Sequence, residues 1–564
     1  MTSLRFSGCL HFTSLAVRQT RCSRFGVALL STHSRLLASH SRTSPPLVHL
    51  QVMRHRQAHG SMAILDGMPH EVLHEVVSHI RPYEPGDLPK PDDRSFIYQR
   101  RPRWEIRDLL NLSLVSKRMR NSTERVLYRD IELYDNDVGG LRCLLENILK
   151  RPELALWILR LRFSQTYAFK PAHHDNTHAE FVTLCLDAAR EVDETVVMPE
   201  WADWLRAGSF DAQMTLLLAR ATNLQELDLG YPITRFRFCR NLASAAAENQ
   251  VSPGAVKAPR LLQNLQEFRI EDDLDSTTEW LPFLQLPSVR RFHGTGIRLS
   301  DVPRLNERAL LVELRLWRSA VSGDALGSVL RSCPALRRLS LVKIFEASTT
   351  DASQVGPSKS HVSVDHLNAA LEHVRDSLQY LELRRVTDGR SSCVSLKSFP
   401  RLRELIIEVN LLLGHPFGLA TAAELGHLLP ATVGAVELHA SGPTVPALTL
   451  FERHFASLEA ACSAGLYPNL KSFGLVLSDC WVIIGDVAPS DQGGADFGSM
   501  LRASEELSMR FSNSPTFREL GIAFTVQDYS REDANRDHGS QDYGSQDDDS
   551  EDDDSQDDDS QQGE

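Results

Sequence analysis

Leu311-Val312-Glu313-Leu314-Arg315-Leu316-Trp317, followed 25 residues later by Leu336-Arg337-Arg338-Leu339-Ser340-Leu341, carries the pattern that decides the fold. Apolar residues hold the first, fourth and sixth places, with a polar residue at the third and fifth. The alternation across the last three places is that of a strand with one buried face. The same spacing starts at Ile158, Leu224, Leu265, Leu378, Leu402, Val433, Leu470 and Phe517, and Val289-Phe292 is a truncated copy.

From Leu265 onward the leading positions step by 24, 22, 25, 42, 24, 31, 37 and 47 residues. Several of these steps match the period of leucine-rich repeats, which the array resembles. The segments before the strands suit helices. Asp324 caps one carrying Leu326, Val329 and Leu330, and Asp365 caps another carrying Leu367, Ala370, Leu371 and Val374. Leu425, Leu428 and Leu429 mark a third before Pro430. The resemblance implies an α/β solenoid over residues 131–526, with parallel strands on a concave side and helices on the convex side. Residues 164–220 and 236–260 lack the pattern and are expected to hold extra helices or loops.

Ahead of the array, residues 62–130 read as a small all-α module in two halves. The first is Met68-Pro69-His70-Glu71-Val72-Leu73 with Val76, Val77 and Ile80; the second is Asp108-Leu109-Leu110-Asn111-Leu112-Ser113-Leu114-Val115-Ser116-Lys117-Arg118-Met119 with Val126-Leu127-Tyr128. Pro69 suits a first helical turn and Ser116 an N-cap. Together the halves resemble an F-box, of the kind found in fungal F-box proteins. A proline-rich insertion over residues 81–107 stands where the family usually has a few residues. The resemblance implies docking to a Skp-type adaptor through Met68, Pro69, Leu73, Ile80, Leu109, Leu112, Val115 and Leu127. The chain would then be the non-catalytic substrate-recognition subunit of an SCF-type cullin–RING ubiquitin ligase, with the repeats binding a protein substrate of unknown identity. An alternative is an interaction scaffold whose divergent F-box recruits no ligase.

An enzyme reading competes within the same helix, because His70-Glu71-Val72-Leu73-His74 has the spacing of a zinc-protease helix. It lacks the extended pattern, since His79 follows His74 by five residues and Val77 holds the glycine place. No phosphate loop, dinucleotide fingerprint, nucleophile elbow or kinase signature occurs, so no cofactor, metal or catalytic residue is assigned.

The net charge of −13 averages three unlike regions. Residues 1–65 contain no acid and eight arginines, which makes residues 1–61 a disordered basic leader or a transit-like segment. Residues 527–564 hold 16 acids against two arginines and read as a disordered low-complexity tail. Ser545, Ser550 and Ser555 there each have an acid three places on, which suits an acidophilic kinase. Removing +8 and −14 from −13 leaves −7 for residues 66–526, so nucleic acid is not an expected partner. No apolar run reaches membrane-spanning length. Nine scattered cysteines without a C-x-x-C pair suggest free thiols in a cytoplasmic or nuclear setting, with mitochondrial import the alternative if the leader is genuine.

Within the array, function is expected at outward positions. Arg315, Trp317, Arg338, Arg384 and Arg403 are the substrate-binding candidates. With Arg290, Arg291 and Arg385, several of these are expected to form a mixed-charge patch with a basic centre, and Trp317 to be its anchor.

Overall fold

The computed structural model describes Pro69, residues 71–73, Val77 and residues 109–114, 116–134, 138–164, 179–192, 200–230, 237–251, 261–271, 280–300, 310–345, 362–386, 393–414, 424–441, 448–478, 506 and 508–528. Helices alternate with a twelve-stranded parallel sheet whose strands follow one another in chain order. The chain divides into two compact units, Met1–Glu404 and Leu405–Glu564.

In the first unit, helix α1 (Lys117–Arg129) runs directly into β1 (Asp130–Tyr134). Helix α2 (Val138–Lys150) and a 3-10 turn (Pro152–Trp157) lead to β2 (Arg160–Ser164). The stretch without the repeat pattern holds α3 (Ala179–Arg190), α4 (Trp201–Arg206) and α5 (Phe210–Arg220), and β3 (Glu226–Gly230) follows. Then come α6 (Arg237–Val251), β4 (Glu267–Glu271), α7 (Leu281–Leu284), β5 (Arg291–Thr295), β6 (Arg298–Leu299), β7 (Glu313–Trp317) and β8 (Ala320–Val321). The last are α8 (Gly323–Arg331), β9 (Arg338–Val342), α9 (Val364–Glu372) and β10 (Tyr380–Arg384).

Register follows directly from the apolar template. Leu161, Leu227, Phe268, Phe292, Leu314, Leu339 and Leu381 form one buried row across the neighbouring strands. A second row two residues on holds Phe163, Leu229, Ile270, Gly294, Leu316, Leu341 and Leu383. Gly294 explains the truncated copy, because a Cβ there would meet the Ile297 Cδ1 at 2.7 Å. Ile297 fills the space that a third apolar side chain takes elsewhere, and is fully buried. At strand entry one carbonyl serves two amides: Arg290 O accepts from Val312 N and Glu313 N at 2.7 and 3.0 Å, and Val312 O accepts from Arg337 N and Arg338 N at 2.8 and 3.0 Å.

Helix starts differ from the expected caps. Ser322 and Ser363 accept from Ala325 N and His366 N, while Asp324 and Asp365 lie inside the first turns. The extended backbone before each helix places the serine hydroxyl, two residues earlier, against the free amides. The aspartates instead favour the positive end of the helix dipole.

The strand ends carry a second regularity. Gly296, Arg318, Lys343 and Arg385 follow the in-register residues Thr295, Trp317, Val342 and Arg384, and all four have positive φ, between 50° and 64°. The next residues, Ile297, Ser319, Ile344 and Val386, turn inward and are fully buried. The chain then enters a short second ladder in which β6 pairs β8 and Ala320 bridges Phe345. A left-handed residue costs a side-chain-bearing amino acid about 1–2 kcal/mol, so glycine is the cheap choice. Only the first of the four positions uses it.

The second unit comprises β11 (Glu404–Glu408), α10 (Val409–Leu413), a 3-10 turn (Leu425–His427) in place of the expected third helix, β12 (Ala435–Ser441), α11 (Leu448–Ser463), β13 (Ser472–Ser478), α12 (Pro515–Glu519) and β14 (Ala523–Asp528). Its core is aromatic: Phe455 lies edge-on to Phe473, Phe511 and Phe524 with ring centres 5.4, 5.1 and 5.5 Å away. Gly426 lets α11 approach closely, since a Cβ there would sit 2.6 Å from the Ser457 carbonyl oxygen.

Candidate functional site

Two regions of the first unit bear on function: a helical cluster before β1 and the polar face of the sheet. In the cluster, Leu73 N donates to Pro69 O at 3.1 Å, a helical bond. Leu73 and Val77 pack with Leu109, Leu112, Met119 and Val126 in one buried core, with Leu127 at its margin. Ser116 caps α1 by accepting from Met119 N at 3.2 Å, as its place in the sequence implies. Residues separated by more than 30 positions in the chain thus build one small module.

This core corrects part of the adaptor-surface expectation. Leu73, Leu109 and Leu112 are 0%, 3% and 2% exposed, so they hold the helices together and present no side chain outward. Pro69 is exposed and Leu127 half-buried. Met68, Ile80, Val115, His70 and His74 lie outside the described residues, as do the insertion at 81–107, the basic leader and Ser545, Ser550 and Ser555. Leu114, counted by sequence among the apolar cluster, is 54% exposed. Its spacing held the clue: two residues past Leu112 is a rotation of about 200°, onto the opposite helical face.

An ion pair with a buried carboxylate and a partly exposed guanidinium joins the module to the segment that leads into β2. Both guanidinium nitrogens Nη1 and Nη2 of Arg151 reach the two carboxylate oxygens of Glu124, at 3.0 and 2.9 Å. Burial, with Glu124 adding to it, pushes the Tyr128 hydroxyl up to about 12.

On the sheet, residues alternating with the buried rows face the other way and form a charged surface. Arg160 lies 3.7 Å from Asp130 and 3.0 Å from Glu226, and Arg162 lies 3.0 Å from Asp228. Glu267 receives Arg269 and Arg291 at 2.5 and 2.6 Å, while Arg315 reaches Glu313 at 2.5 Å. Of the substrate-binding candidates, Arg315, Trp317, Arg338 and Arg384 share this face. Arg338 stacks over Tyr380 at 4.3 Å and Arg384 pairs Glu382 at 2.5 Å. Arg403 stands apart in the turn before β11, exposed. The face is therefore close to charge-balanced, with Arg160, Arg162, Arg269, Arg291, Arg315 and Arg384 paired to neighbouring carboxylates and Arg338 stacked on Tyr380.

Two cations from the left-handed row lie over the ring of Trp317, which is half-buried at the end of β7. The Arg318 guanidinium sits 4.4 Å from its ring centre and the Lys343 ammonium 6.0 Å. The pattern of apolar spacing carries no trace of this row, because arginine and lysine do not signal positive φ.

The glutamates of the face give it a pH response. Burial pushes Glu313 up, but the His293 imidazole 3.5 Å away and the charge of Arg315 outweigh burial and hold it down at about 2. Burial opposes ionisation of Glu267 too, and Arg269, His293 and Arg291 together still lower it. A carboxylate depressed in the folded state stabilises the fold above its ordinary 4.5 and loses that contribution as pH falls toward about 2. Stability is expected to drop across this window, and Arg315→Met to move acid unfolding to higher pH, as followed by circular dichroism. An unchanged acid transition in the variant would show that the pairing does not matter.

Cys185, Cys333 and Asp211 serve the fold. Burial pushes the Cys185 and Cys333 thiols up to about 12, which keeps them protonated and unreactive. Asp211 accepts from Phe238 N at 2.9 Å and Cys239 N at 3.4 Å, capping α6. Among the described residues no group of three His, Cys, Asp or Glu is placed to hold a metal ion, and no helix is long and apolar enough to cross a membrane. No protein-family model and no curated protein matches the chain.

Proposed function

We propose that the chain is the substrate-recognition subunit of a cullin–RING ubiquitin ligase, with the helical module as an F-box and the strand array as a leucine-rich-repeat solenoid. The observation that carries this reading is the single core built by Leu73 and Val77 from one segment and Leu109, Leu112, Met119 and Val126 from another. One core shared by two segments distant in sequence is what an F-box interrupted by the insertion at 81–107 would give. Such a small helical unit has little core of its own, and completion by an adaptor is its natural use. Exposed Pro69 and Leu114 are the accessible apolar residues that an adaptor would cover. The strand order, each strand beside the next in sequence, suits a repeat array offering a broad face to a protein substrate in the cytoplasm or nucleus.

In this role the chain performs no chemistry. Holding a substrate near the charged E2 enzyme raises the effective concentration of the acceptor lysine. The test is capture from native lysate with full-length chain beside Pro69→Ala/Leu114→Asp, probed for Skp-type adaptor and cullin. Wild type is expected to retain both and the variant to lose about tenfold or more. Failure of the wild-type chain to retain either would remove the ligase role.

A further inference from the structure

In the second unit the 3-10 turn Leu425–His427 is joined to helix α11 through a buried imidazole. The first amide of such a turn has no acceptor within it, and Glu424 ahead of it offers no side-chain cap. Leu425 N donates instead to Nδ1 of His454 on α11, 3.4 Å away. Leu425 is fully buried and His454 is 2% exposed, so the bond is shielded from solvent. The middle of the turn has its own ties. The Tyr467 hydroxyl donates to Gly426 O at 2.8 Å, and Gly426 lies too close to the Ser457 carbonyl for a side chain to fit. The leading amide is left to His454.

This bond sets where the imidazole carries its proton. A ring nitrogen that accepts is unprotonated, so the proton of neutral His454 sits on Nε2. Nε2 is buried and has no hydrogen-bond partner. A second proton would enter on Nδ1 and face the Leu425 N–H, donor against donor. The closed turn therefore disfavours the imidazolium, whereas an open turn would let water solvate it. The surrounding charges do not reverse this. Arg453 on α11 opposes another cation, and Glu424 pulls the other way while engaged by Arg453 at 3.3 Å and by Ser457. His427 of the turn is exposed. In and before α12, Arg510 pairs Glu452 at 2.6 Å, Ser514 donates to Glu459 at 2.5 Å, Arg518 donates to Asn513 at 2.6 Å, and Glu519 is exposed. From β13 and β14, Phe473 and Phe524 pack on Phe455 of the helix. Burial first, and Arg453 second, hold the His454 imidazole below its ordinary 6.5.

We propose that His454 is a proton-operated latch of the second unit: neutral, it clasps the Leu425–His427 turn to α11, and on taking up a proton it releases the turn. The neutral form stabilises the closed turn fully above 6.5. That contribution declines as pH falls below 6.5, until the closed form is itself protonated. A single proton couples opening to pH by at most about tenfold per unit. The latch stands apart from the receptor reading and does not depend on it.

The test is amide hydrogen exchange of the full-length chain at about pH 7.5 and about pH 5.5, read by mass spectrometry on peptides covering residues 424–430 and corrected for the intrinsic rate at each pH. Wild type is expected to open about three- to tenfold more at the lower pH. His454→Asn supplies an oxygen acceptor in the place of Nδ1 without titrating, and is expected to hold the turn equally at both. His454→Phe has no acceptor and is expected to open more than wild type at both. His427→Asn removes the other imidazole of the turn and is expected to keep the wild-type response. A wild-type turn that does not respond to pH overturns the proposal, as does a response that survives in His454→Asn or disappears in His427→Asn. Protection in His454→Phe equal to that of wild type overturns it too. Should a substitution in the buried helix prevent folding, peptides from α8 in the wild-type chain still decide, because an equal rise there would mean general loosening in acid and no latch.

Discussion

Phe268→Ala is expected to lower the stability of the first unit by about 3–5 kcal/mol. The Phe268 ring stacks on Phe283 with centres 4.2 Å apart and contacts Phe292 at 5.8 Å, and Trp280 stacks on Phe292 at 5.2 Å. All four side chains are fully buried. Truncation would leave a cavity between β4, β5 and the connecting α7. Backbone pairing of Phe268 with Phe292 fixes those strands against collapse, which places the loss in the upper part of the range for large-to-small changes. The aromatic contacts contribute about 0.5–1.5 kcal/mol beyond area, so Phe268→Leu recovers most but not all of it. Urea unfolding followed by tryptophan fluorescence measures both variants. A loss below about 1 kcal/mol for alanine would mean that the stack is not a structural centre.

Arg151→Ala is the second large expected loss, at about 2–3 kcal/mol, and it should exceed that of Glu124→Gln. Glu124 is 5% exposed at its side chain and Arg151 39%. Deleting the arginine strands a carboxylate inside the protein, a fault worth about 3–5 kcal/mol when both partners are buried. Water reaching the vacated arginine side reduces that figure here. Deleting the acid's charge instead frees a guanidinium that already touches solvent and still has Glu153 at 3.0 Å. The pair joins α1 to the segment leading into β2, so hydrogen exchange should quicken through α1 in Arg151→Ala and stay nearly unchanged elsewhere. Equal losses in the two variants would assign the effect to packing.

Much of the sheet is legible in the sequence because the apolar template and the strand share one physical cause, a buried face of period two. The strand at Asp130–Tyr134 is hidden from that template because Tyr128, still inside α1, occupies the leading apolar position. Ser322 and Ser363 are hard to single out as caps because an aspartate two residues on is an equally good capping residue type. Arg315 is readable as outward, but its commitment to Glu313 depends on rotamers that no spacing encodes. The adaptor-facing residues are the least legible. Leu112 and Leu114 are alike in composition, and only the helical phase separates core from surface.

The order of strands in the main sheet, which follows the chain apart from the short β6–β8 ladder, also bears on how the first unit yields to force. In the first unit β3 pairs β2 and β4, and each later strand of the main sheet is likewise held by the preceding and following strands of that sheet. A pull on the chain would therefore peel units away one after another, with no single clasp to break, and relaxation would let each re-form on the edge left by the last. On that pairing, an end strand of the first unit is expected to give under tension while the strands behind it keep their register.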